Sequence, residues 1–451
     1  MFEKLRLFFS NLLFLLKDTH GASVTAMSAM NSDTDSDLDY NVPEIWQARL
    51  RMDAARKSFF GPLKGKELSG KPIVERDDFV NQAGDVVHVQ IMTELYGPGV
   101  TGESTLRGSE DKLSTGQFDL AVDWLRKAVA LTKKVKKEIN FDALQQARVL
   151  LSNWLARELD RQVFSDLLSD STDTLYAGNA TSAATLSDDD TFTTQELDKI
   201  KLAMDRKGAL PITVESEGGQ ETFHYGVVIS EVDEFNLRGD DRWLDACKYA
   251  QLRGDKNPIF TGRPVEWNGL LVYTLRGVKA AGCIQGSPLR PECALYSGGT
   301  GAAAATLNAT DTTIYVGGAA QSNTGEQKQY TQFFADSGTI TIDSEEITYS
   351  SKTYRTFVVT TRGANGTTAA THATGSLITQ RHVSSVIAFG AEICAFVWGQ
   401  QPQRIEDTDD YGFITGIGIE TLYGVQAIKD SALKTPNYLV MKAYSKNPGS
   451  I

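Results

Sequence analysis

The sequence predicts an α+β protein into which a small all-β domain is inserted. Residues 141–169 carry apolar side chains along one helical stripe. Residues 190–275 alternate between helix and strand patterns, which is typical of an α/β layer. Residues 295–380 are short alternating strands between glycine and asparagine turns. The earlier pattern resumes after residue 383, so the β segment interrupts a domain at an exposed loop.

Composition restricts the class of protein. The chain has 451 residues with 41% hydrophobic content, enough for two or more compact units. A formal net charge of -12 argues against a general nucleic-acid binder, which attracts phosphates through an excess of lysine and arginine. No apolar run approaches the ~20 residues that span a bilayer. The four cysteines form no C-x-x-C pair, which predicts free thiols; a Cys283–Cys293 bridge is the alternative.

The N-terminal segment has two interpretations. Residues 2–16 are mostly apolar, with Leu5, Phe8, Leu12 and Leu16 at helical spacing. One interpretation is a secretory signal peptide cleaved after Ala26. The favoured interpretation is an amphipathic helix that packs on its own chain or on a neighbour.

An acidic segment follows. Asp33, Asp35, Asp37 and Glu44 fall at the first, third, fifth and twelfth positions of a calcium loop. Leu38 stands where such a loop needs glycine for its turn. The spacing therefore favours an acidic, solvated linker over a calcium site.

The segment YGPGVTGESTLRGSED contains the spacing G-x-G-x-x-G at Gly97, Gly99 and Gly102. A dinucleotide site needs a strand before this motif and a helix opening at its third glycine. Residues 85–95 alternate as a half-buried strand, but no helical pattern begins before about residue 120. The glycines therefore predict a long, hairpin-like arm and no cofactor site.

The longest predicted helix is 141–169, with Asn140 as its candidate cap. At ~1.5 Å per residue it is about 40 Å long. The basic run KKVKK just before it is interpreted as a solvated turn. The residues predicted to form the buried stripe are Leu144, Leu151, Trp154, Leu155, Leu159 and Val163.

The α/β part carries helix boundary signals. Thr193 and Glu196 predict a capping box, and Gly208 predicts the end of that helix. Ser230 predicts the start of a second helix with a break at Gly239. Residues 267–275 predict a further strand.

No catalytic pattern is found. The five histidines are scattered, and the sequence contains neither H-E-x-x-H nor G-x-S-x-G. Asp407, Asp409 and Asp410 could bind a cation, although a lone acidic loop is more typical of a solvated turn. The prediction is a protein that is not an enzyme and that has no cofactor or metal.

Three stretches carry a family resemblance: ELYGPGVTGESTLRGSEDKL, FDALQQARVLLSNWLARELDRQVFSDLL and YAQLRGDKNPIFTG with the later WNGLLVY. They resemble the major capsid proteins of tailed bacteriophages with the Hong Kong 97 phage fold, in the podophage-type branch. The resemblance covers most of residues 45–285 and, more loosely, 383–445. It implies the following domains: an N-terminal arm, 1–60; a peripheral domain, 61–180, with an extended loop, 93–130, and a spine helix, 141–169; an axial domain, 181–284, completed by 383–451, which ends in a C-terminal peripheral strand; and an inserted β domain, 285–382.

The resemblance also implies a role for the arm and a set of partners. The extended loop would reach over a neighbouring subunit, and its hinge and contact residues would be Gly97, Gly99, Gly102, Arg107, Gly108, Glu110, Asp111 and Lys112. Many copies, as pentamers and hexamers, would form an icosahedral virion shell in the host cytoplasm, with scaffold, portal and decoration proteins as partners and no membrane. The shell would enclose double-stranded DNA without sequence-specific binding, and a negative wall would not adhere to that DNA. The β insertion is expected on the outer surface. The alternative is a secreted or cell-surface binding protein with a signal peptide and an adhesive β module.

Overall fold

The computed structural model describes part of the chain. The described residues are 58–66, 69–76, 86–92, 99–102, 107, 115–138, 143–215, 221–249, 265–277, 279–280, 283–284, 286–296, 306–317, 330–429 and 435–445. The predictions for residues 2–16 and 33–44 and for the cap at Asn140 lie outside them. The chain divides into two compact units. The first contains Trp124–Ala156 and Gln401–Thr421, and the second contains Ser58–Asp123, Arg157–Gln400 and Leu422–Ile451.

Five α-helices occur in the described residues: α1 Lys133–Glu138, α2 Ala143–Asp170, α3 Thr194–Lys207, α4 Glu231–Arg238 and α5 Asp241–Tyr249. Short 3-10 turns lie at Gly61–Leu63, Ala183–Thr185 and Ala364–Gly366. In this described part, no helix combines the length and the apolar character that crossing a membrane requires. The basic run expected to be a turn forms α1 instead, because consecutive lysines are good helix formers.

The strands before the inserted segment are β1 Lys64–Gly65, β2 Ile73–Arg76, β3 Val86–Met92, β4 Thr115–Ala121, β5 Asp123–Thr132, β6 Thr174–Tyr176, β7 Ile212–Glu215, β8 Glu221–Ser230, β9 Val265–Trp267, β10 Leu270–Leu275, β11 Lys279–Ala280 and β12 Cys283–Ile284. The remaining strands are β13 Gly286–Ser287, β14 Arg290–Ala294, β15 Thr313–Tyr315, β16 Gly338–Ile342, β17 Glu345–Lys352, β18 Thr356–Thr361, β19 Leu377–Thr379, β20 Val383–Phe389, β21 Cys394–Asp409, β22 Ile414–Ala427 and β23 Tyr438–Tyr444.

A seven-stranded sheet organises the α/β part of the second unit. Its order is β6-β23-β20-β8-β10-β9, with β7 also paired to β8. Strands β8 and β10 are parallel, whereas β20 is antiparallel to both β8 and β23. Alternate residues of β8, β20 and β23 meet α3 in one apolar core, which includes Leu197, Ile200, Met204, Val227, Ile229, Val386, Leu439 and Met441. Strand β23, expected as a C-terminal peripheral strand, lies inside this sheet.

The helix boundaries of this part follow local hydrogen bonds. Ser230 caps α4 as predicted: its Oγ accepts from the Asp233 backbone N at 3.3 Å and donates to that carboxylate at 2.7 Å. Gly208 ends α3 with a φ of 68°, in the left-handed region that favours glycine. The break at Gly239 between α4 and α5 is also found.

The capping box at Thr193 and Glu196 was a wrong prediction. Glu196 instead accepts from Gly178 N at 3.2 Å and from Lys199 Nζ at 2.9 Å. The start of α3 is bound by the connection between α4 and α5, because Thr194 N donates to Asp240 Oδ2 at 2.9 Å. Partners distant in sequence have displaced the local cap.

The predicted strand over residues 267–275 is a hairpin. Strands β9 and β10 are antiparallel, with Leu270 opposite Trp267. Asn268 and Gly269 connect them with φ angles of 47° and 79°. Two successive positive φ angles are what a tight hairpin turn requires, and Asn-Gly is the preferred pair for it.

The strands within residues 286–379 form a small barrel. Their sheet order is β13-β14-β19-β16-β17-β18-β15. Leu295, just after β14, bridges Val316, just after β15, and so closes the six strands from β14 to β15 into a ring, with the two-residue β13 outside it. Closure leaves no long free strand edge for pairing with another chain. The interior is apolar and includes Ile314, Tyr330, Ile340, Ile342, Ile347, Tyr349, Phe357 and Ile378.

The remaining strands form smaller sheets. In the second unit β2 pairs in parallel with β1 and with β21, and β21 is followed by β22 in the order β1-β2-β21-β22. In the first unit β22 lies between β21 and β5. The sequence analysis assigned residues 383–435 to the axial α/β layer, with its helix–strand alternation. The regular elements described there are all strands, because a continuous apolar run is equally typical of a buried strand and a buried helix.

The cysteines for which side chains are described are not bridged. Cys293 and Cys394 are buried, and neither forms a disulfide. The alternative of a Cys283–Cys293 disulfide is therefore wrong.

Candidate assembly surfaces

The arm begins at a regular hairpin. Strand β3 pairs antiparallel with β4, from Val86 opposite Ala121 to Met92 opposite Thr115. Residues 93–114 therefore connect two strand ends that lie side by side. The structure places the glycine-rich segment beyond the end of this ladder.

The described residues of the arm are exposed. Gly99, Gly102 and Arg107 all face solvent. A Cβ added to either glycine would meet no described atom within 4 Å, and Gly102 has a φ of 71°. The other predicted arm residues, Gly97, Gly108, Glu110, Asp111 and Lys112, lie outside the described residues.

The base of the arm is packed tightly. Phe118 and Leu120 of β4 are buried against Ala395 and Val397 of β21. Gly424 of β22 permits this approach, since a Cβ there would overlap the Leu120 side chain and lie 2.5 Å from the Ala121 carbonyl oxygen. The arm therefore has a fixed base and an exposed connection. The sequence analysis missed Gly424, because a single glycine in a strand pattern does not show what approaches it.

Most of the side chains predicted for the stripe of the long helix are buried. Leu151, Leu155, Leu159 and Val163 of α2 are buried, and Trp154 is half-buried. The side chain of Leu144 lies outside the description.

Asp160 of α2 holds the start of the described chain. Its carboxylate accepts from Ser58 Oγ at 2.6 Å, from Phe59 N at 2.8 Å and from Phe60 N at 3.3 Å. Phe60 is buried, and its ring centroid lies 4.8 Å from that of Phe164. Burial raises the pKa of Asp160, although these hydrogen bonds oppose the shift. Sequence reasoning did not single out this residue.

A second carboxyl group of α2, that of Asp166, has a pKa raised toward neutral pH. Burial raises the pKa of Asp166 to about 7, and the charge of Asp170 adds to the rise. Gln162 Nε2 donates to Asp166 Oδ1 at 3.2 Å, whereas Oδ2 is buried with no hydrogen-bond partner in the structure. A carboxyl in such surroundings favours its protonated form.

We expect Asp166→Asn to change how stability depends on pH. The folded pKa lies above the ordinary value of 3.8, so the folded state keeps a proton that the unfolded state releases. Wild-type stability should therefore fall as pH rises from about 4 to about 7, and the variant should lack this fall. Urea unfolding at several pH values measures it. Asp205→Asn, an exposed carboxylate on α3, is the control, and an unchanged pH profile for Asp166→Asn would contradict the expectation.

The barrel contains a polar cluster around Glu345, which is 1% exposed. Its carboxylate accepts from Arg362 Nε at 2.7 Å and Nη2 at 2.9 Å, and from the backbone N of Gly363 and of Ala370, each at 2.9 Å. His372 bridges it to Asp343, with Nε2 2.8 Å from Glu345 and Nδ1 2.7 Å from Asp343. These donors hold the pKa of Glu345 at about 2, even though burial alone would raise it.

The acidic loop predicted as a solvated turn lies at the surface. Asp407, Asp409 and Asp410 are exposed at the end of β21 in the first unit. In the described residues no group of three or more His, Cys, Asp or Glu side chains is placed to hold a metal ion.

Several large apolar side chains are exposed, and the sequence did not predict their exposure. In the first unit they are Trp124, Leu150, Tyr411 and Phe413. In the second unit they include Leu202, Leu210, Phe223 and Phe235. Scattered exposed apolar residues are normal, but aromatic ones are enriched where proteins associate. Their exposure depends on tertiary packing, which periodicity alone does not report.

Comparison with known proteins gives a consistent result. A family described as phage capsid protein matches residues 36–172. The major capsid protein of Pseudomonas phage KPP25 is 20% identical over 275 residues, which cover 52% of this chain and 71% of that protein.

Solved structures agree. The capsid of Ralstonia phage GP4 gives a TM-score of 0.56 at 17% identity, covering 87% of this chain and 93% of that one. The capsid of cyanophage Pam1 gives 0.55 at 14% identity, covering 87% and 94%. The chain therefore has the fold of these phage capsid proteins, and its sequence is similar to theirs over a part of its length.

Proposed function

We propose that this chain is the major capsid protein of a tailed bacteriophage and serves as a structural, non-enzymatic component of the virion. The observation that carries the proposal is the shared fold, which extends over 87% of this chain and over 93% of the GP4 capsid chain. The family match over residues 36–172 supports it independently, because it includes the predicted arm and the whole of α2. The comparisons do not favour the alternative of a secreted binding protein.

At a finer level, the chain belongs to the Hong Kong 97-like branch found in podophages. Residues 93–130 are its extended loop, α2 is its spine helix and the seven-stranded sheet is the centre of its axial domain. The packed base and exposed connection of the arm support this assignment, because an arm that contacts another subunit needs a base that is packed into its own subunit. Gly99, Gly102 and Arg107 are then available to a neighbouring copy.

The assembly follows from this role. Many copies form pentamers and hexamers of an icosahedral shell, built in the host cytoplasm with scaffold and portal proteins and filled with double-stranded DNA. The net charge of -12 supports a wall that does not adhere to the packed DNA.

Negative-stain electron microscopy of the full-length protein tests the proposal, with light scattering as a second measurement. Expressed with the neighbouring phage genes, it should form shells, sheets or capsomer rings. A monodisperse monomer under those conditions would contradict the proposal. Mass spectrometry of the mature N-terminus checks the alternative, since cleavage after Ala26 in a secreted product would favour it.

The barrel is assigned to the outer surface of the shell, where it braces neighbouring subunits. Its chain enters and leaves through paired strands, with Glu292 of β14 opposite Thr379 of β19. Closure of the barrel supports an independent unit, since its apolar core is formed by its own strands.

We expect the barrel to be removable. Joining Glu292 to Thr379 through an Asn-Gly turn keeps the pairing at the base, because that dipeptide suits a tight antiparallel turn. The shortened protein should still form shells, with lower resistance to heat if the barrel acts as a brace. Electron microscopy shows the shells, and differential scanning calorimetry measures the loss. Failure to fold would mean that the barrel is part of the core structure.

A further inference from the structure

A cavity of about 540 Å³ lies within the second unit. Its wall comes from three parts of the fold: α2, the barrel, and the side of the seven-stranded sheet formed by β6, β23 and β20. A cavity of this size suits a ligand or a short peptide segment.

The lining is predominantly cationic. It contains Arg161 of α2, Lys352 of β17, Arg381 before β20 and Lys442 of β23. The one carboxylate in the lining is Asp336, whose side chain is fully exposed. Positive charges thus come together from elements far apart in sequence.

Two of these cations, Arg161 and Lys352, lie close enough to influence each other. Burial lowers the pKa of Lys352, and the positive charge of Arg161 lowers it further, although Asp336 opposes the shift. The Lys352 ammonium donates to the carbonyl oxygens of Thr331 and Phe334. Arg161 Nε donates to Glu158 at 2.9 Å. Arg381 likewise pairs with Glu346 outside the lining, at 3.2 Å. A carboxylate entering the cavity would relieve the repulsion between Arg161 and Lys352.

The chain itself contains a matching anionic segment. Asp33, Asp35, Asp37 and Asp39 carry four negative charges within seven residues of DTDSDLD. The proposed major capsid function gives this segment no role.

The start of the described chain is bound to α2 next to a residue of the cavity lining. Ser58 and Phe59 are bound to Asp160, the residue immediately before Arg161 in α2. The 19 residues from Asp39 to Ser58 can extend to roughly 60 Å. Helix α2 has 28 residues, or about 42 Å. The extended linker is therefore longer than the whole of α2, so the acidic segment can reach the cavity.

We propose that the cavity lined by Arg161, Lys352, Arg381 and Lys442 binds the acidic segment 33–39 of the same chain. Tethering favours this occupant over a free anion, because a segment joined to the cavity through a short linker has an effective concentration in the millimolar range. Bound there, the segment would join the N-terminal part of the chain to α2, the barrel and the sheet together. The inference does not depend on shell formation.

Zero-length carbodiimide coupling of the full-length, unassembled protein tests the proposal. It should join Lys442 to an aspartate of residues 33–39, as identified by mass spectrometry of the peptides. The variant with Asp33, Asp35, Asp37 and Asp39 all changed to asparagine keeps the length and removes the charge, and should lose the product. Lys201→Gln, on α3 and outside the cavity lining, is the matched control for Lys442→Gln: the former should keep the product and the latter should lose it.

A mixture of isotopically light and heavy protein separates the two sources of the segment. If every coupled peptide pair is purely light or purely heavy, the segment and the cavity belong to the same chain, as proposed. Mixed pairs would show that a neighbouring copy supplies the segment and would overturn the proposal. A thermal shift with inorganic phosphate is a second measurement that does not depend on coupling. Phosphate should raise the melting temperature of the four-asparagine variant more than that of the wild type. Equal melting-temperature shifts in the two proteins would also overturn the proposal. So would the absence of coupling at Lys442 when an acylating reagent shows that this lysine is accessible.

Discussion

Replacing residues 93–114 by an Asn-Gly turn is expected to abolish shell formation and to leave the subunit folded. The replacement joins Met92 to Thr115, which are already opposite each other at the end of the β3–β4 ladder. Asn-Gly supplies the two positive φ angles of a tight hairpin turn, so the pairing below it should persist. The buried base, Phe118 and Leu120, is untouched.

The effect on assembly should be large because the shortened arm can no longer reach a neighbour. Interfaces concentrate their binding free energy in a few contacts, so losing a whole connecting arm should cost more than any single substitution on it. Electron microscopy and sedimentation measure assembly, and circular dichroism with thermal melting measures the fold. The control replaces residues 216–220, the loop between the paired ends of β7 and β8, by the same dipeptide. Intact shells from the shortened arm would refute its proposed role.

Glu345→Gln is expected to destabilise the barrel strongly, by about 3 kcal/mol or more, the usual cost of removing one partner from a buried ion pair. The substitution keeps the shape but removes the charge that Arg362 and His372 face. Gln also brings an NH₂ group to a position where the Glu345 oxygens accept from Gly363 N and Ala370 N. An NH₂ cannot accept hydrogen bonds from these donors.

Lowering the pH should reduce the difference in unfolding free energy between the wild type and Glu345→Gln. The folded pKa of Glu345 is about 2, below its ordinary 4.5, so its contribution is complete above pH 4.5 and is lost as pH falls toward 2. Urea unfolding followed by the fluorescence of the barrel tyrosines measures this. Glu346→Gln is the matched control: it is the next residue of β17, and its carboxylate is more exposed and pairs with Arg381. Equal losses in the two variants, or a difference that persists at pH 2.5, would show that the Glu345 cluster is not a major source of stability.

Several elements could be predicted because their signals are local. The stripe of α2 repeats at helical spacing, so Leu151, Leu155 and Val163 could be assigned to the buried face from sequence. Ser230 and Gly208 mark helix ends through hydrogen bonds and backbone angles within a few residues. The strands of the barrel were likewise visible between their turns.

Other features depend on residues that are far apart in sequence. The cap expected at Thr193 was replaced by a bond from Thr194 to Asp240, a residue of the following helical region. The cluster at Glu345 gathers Arg362 and His372 from separate parts of the barrel. No periodicity reports such pairs, because each partner looks like an ordinary surface residue in its own segment.

The sequence by itself indicated the class of elements, the long helix and the run of short strands after residue 285, since each rests on spacing within one segment. Only the tertiary structure decided that β23 lies between β6 and β20, that Leu295 and Val316 close the barrel, and that four cations line one cavity. The physical reason is that backbone propensity and apolar spacing act over a few residues. Strand order, closure and charge clustering instead result from packing segments that the sequence separates by tens or hundreds of residues.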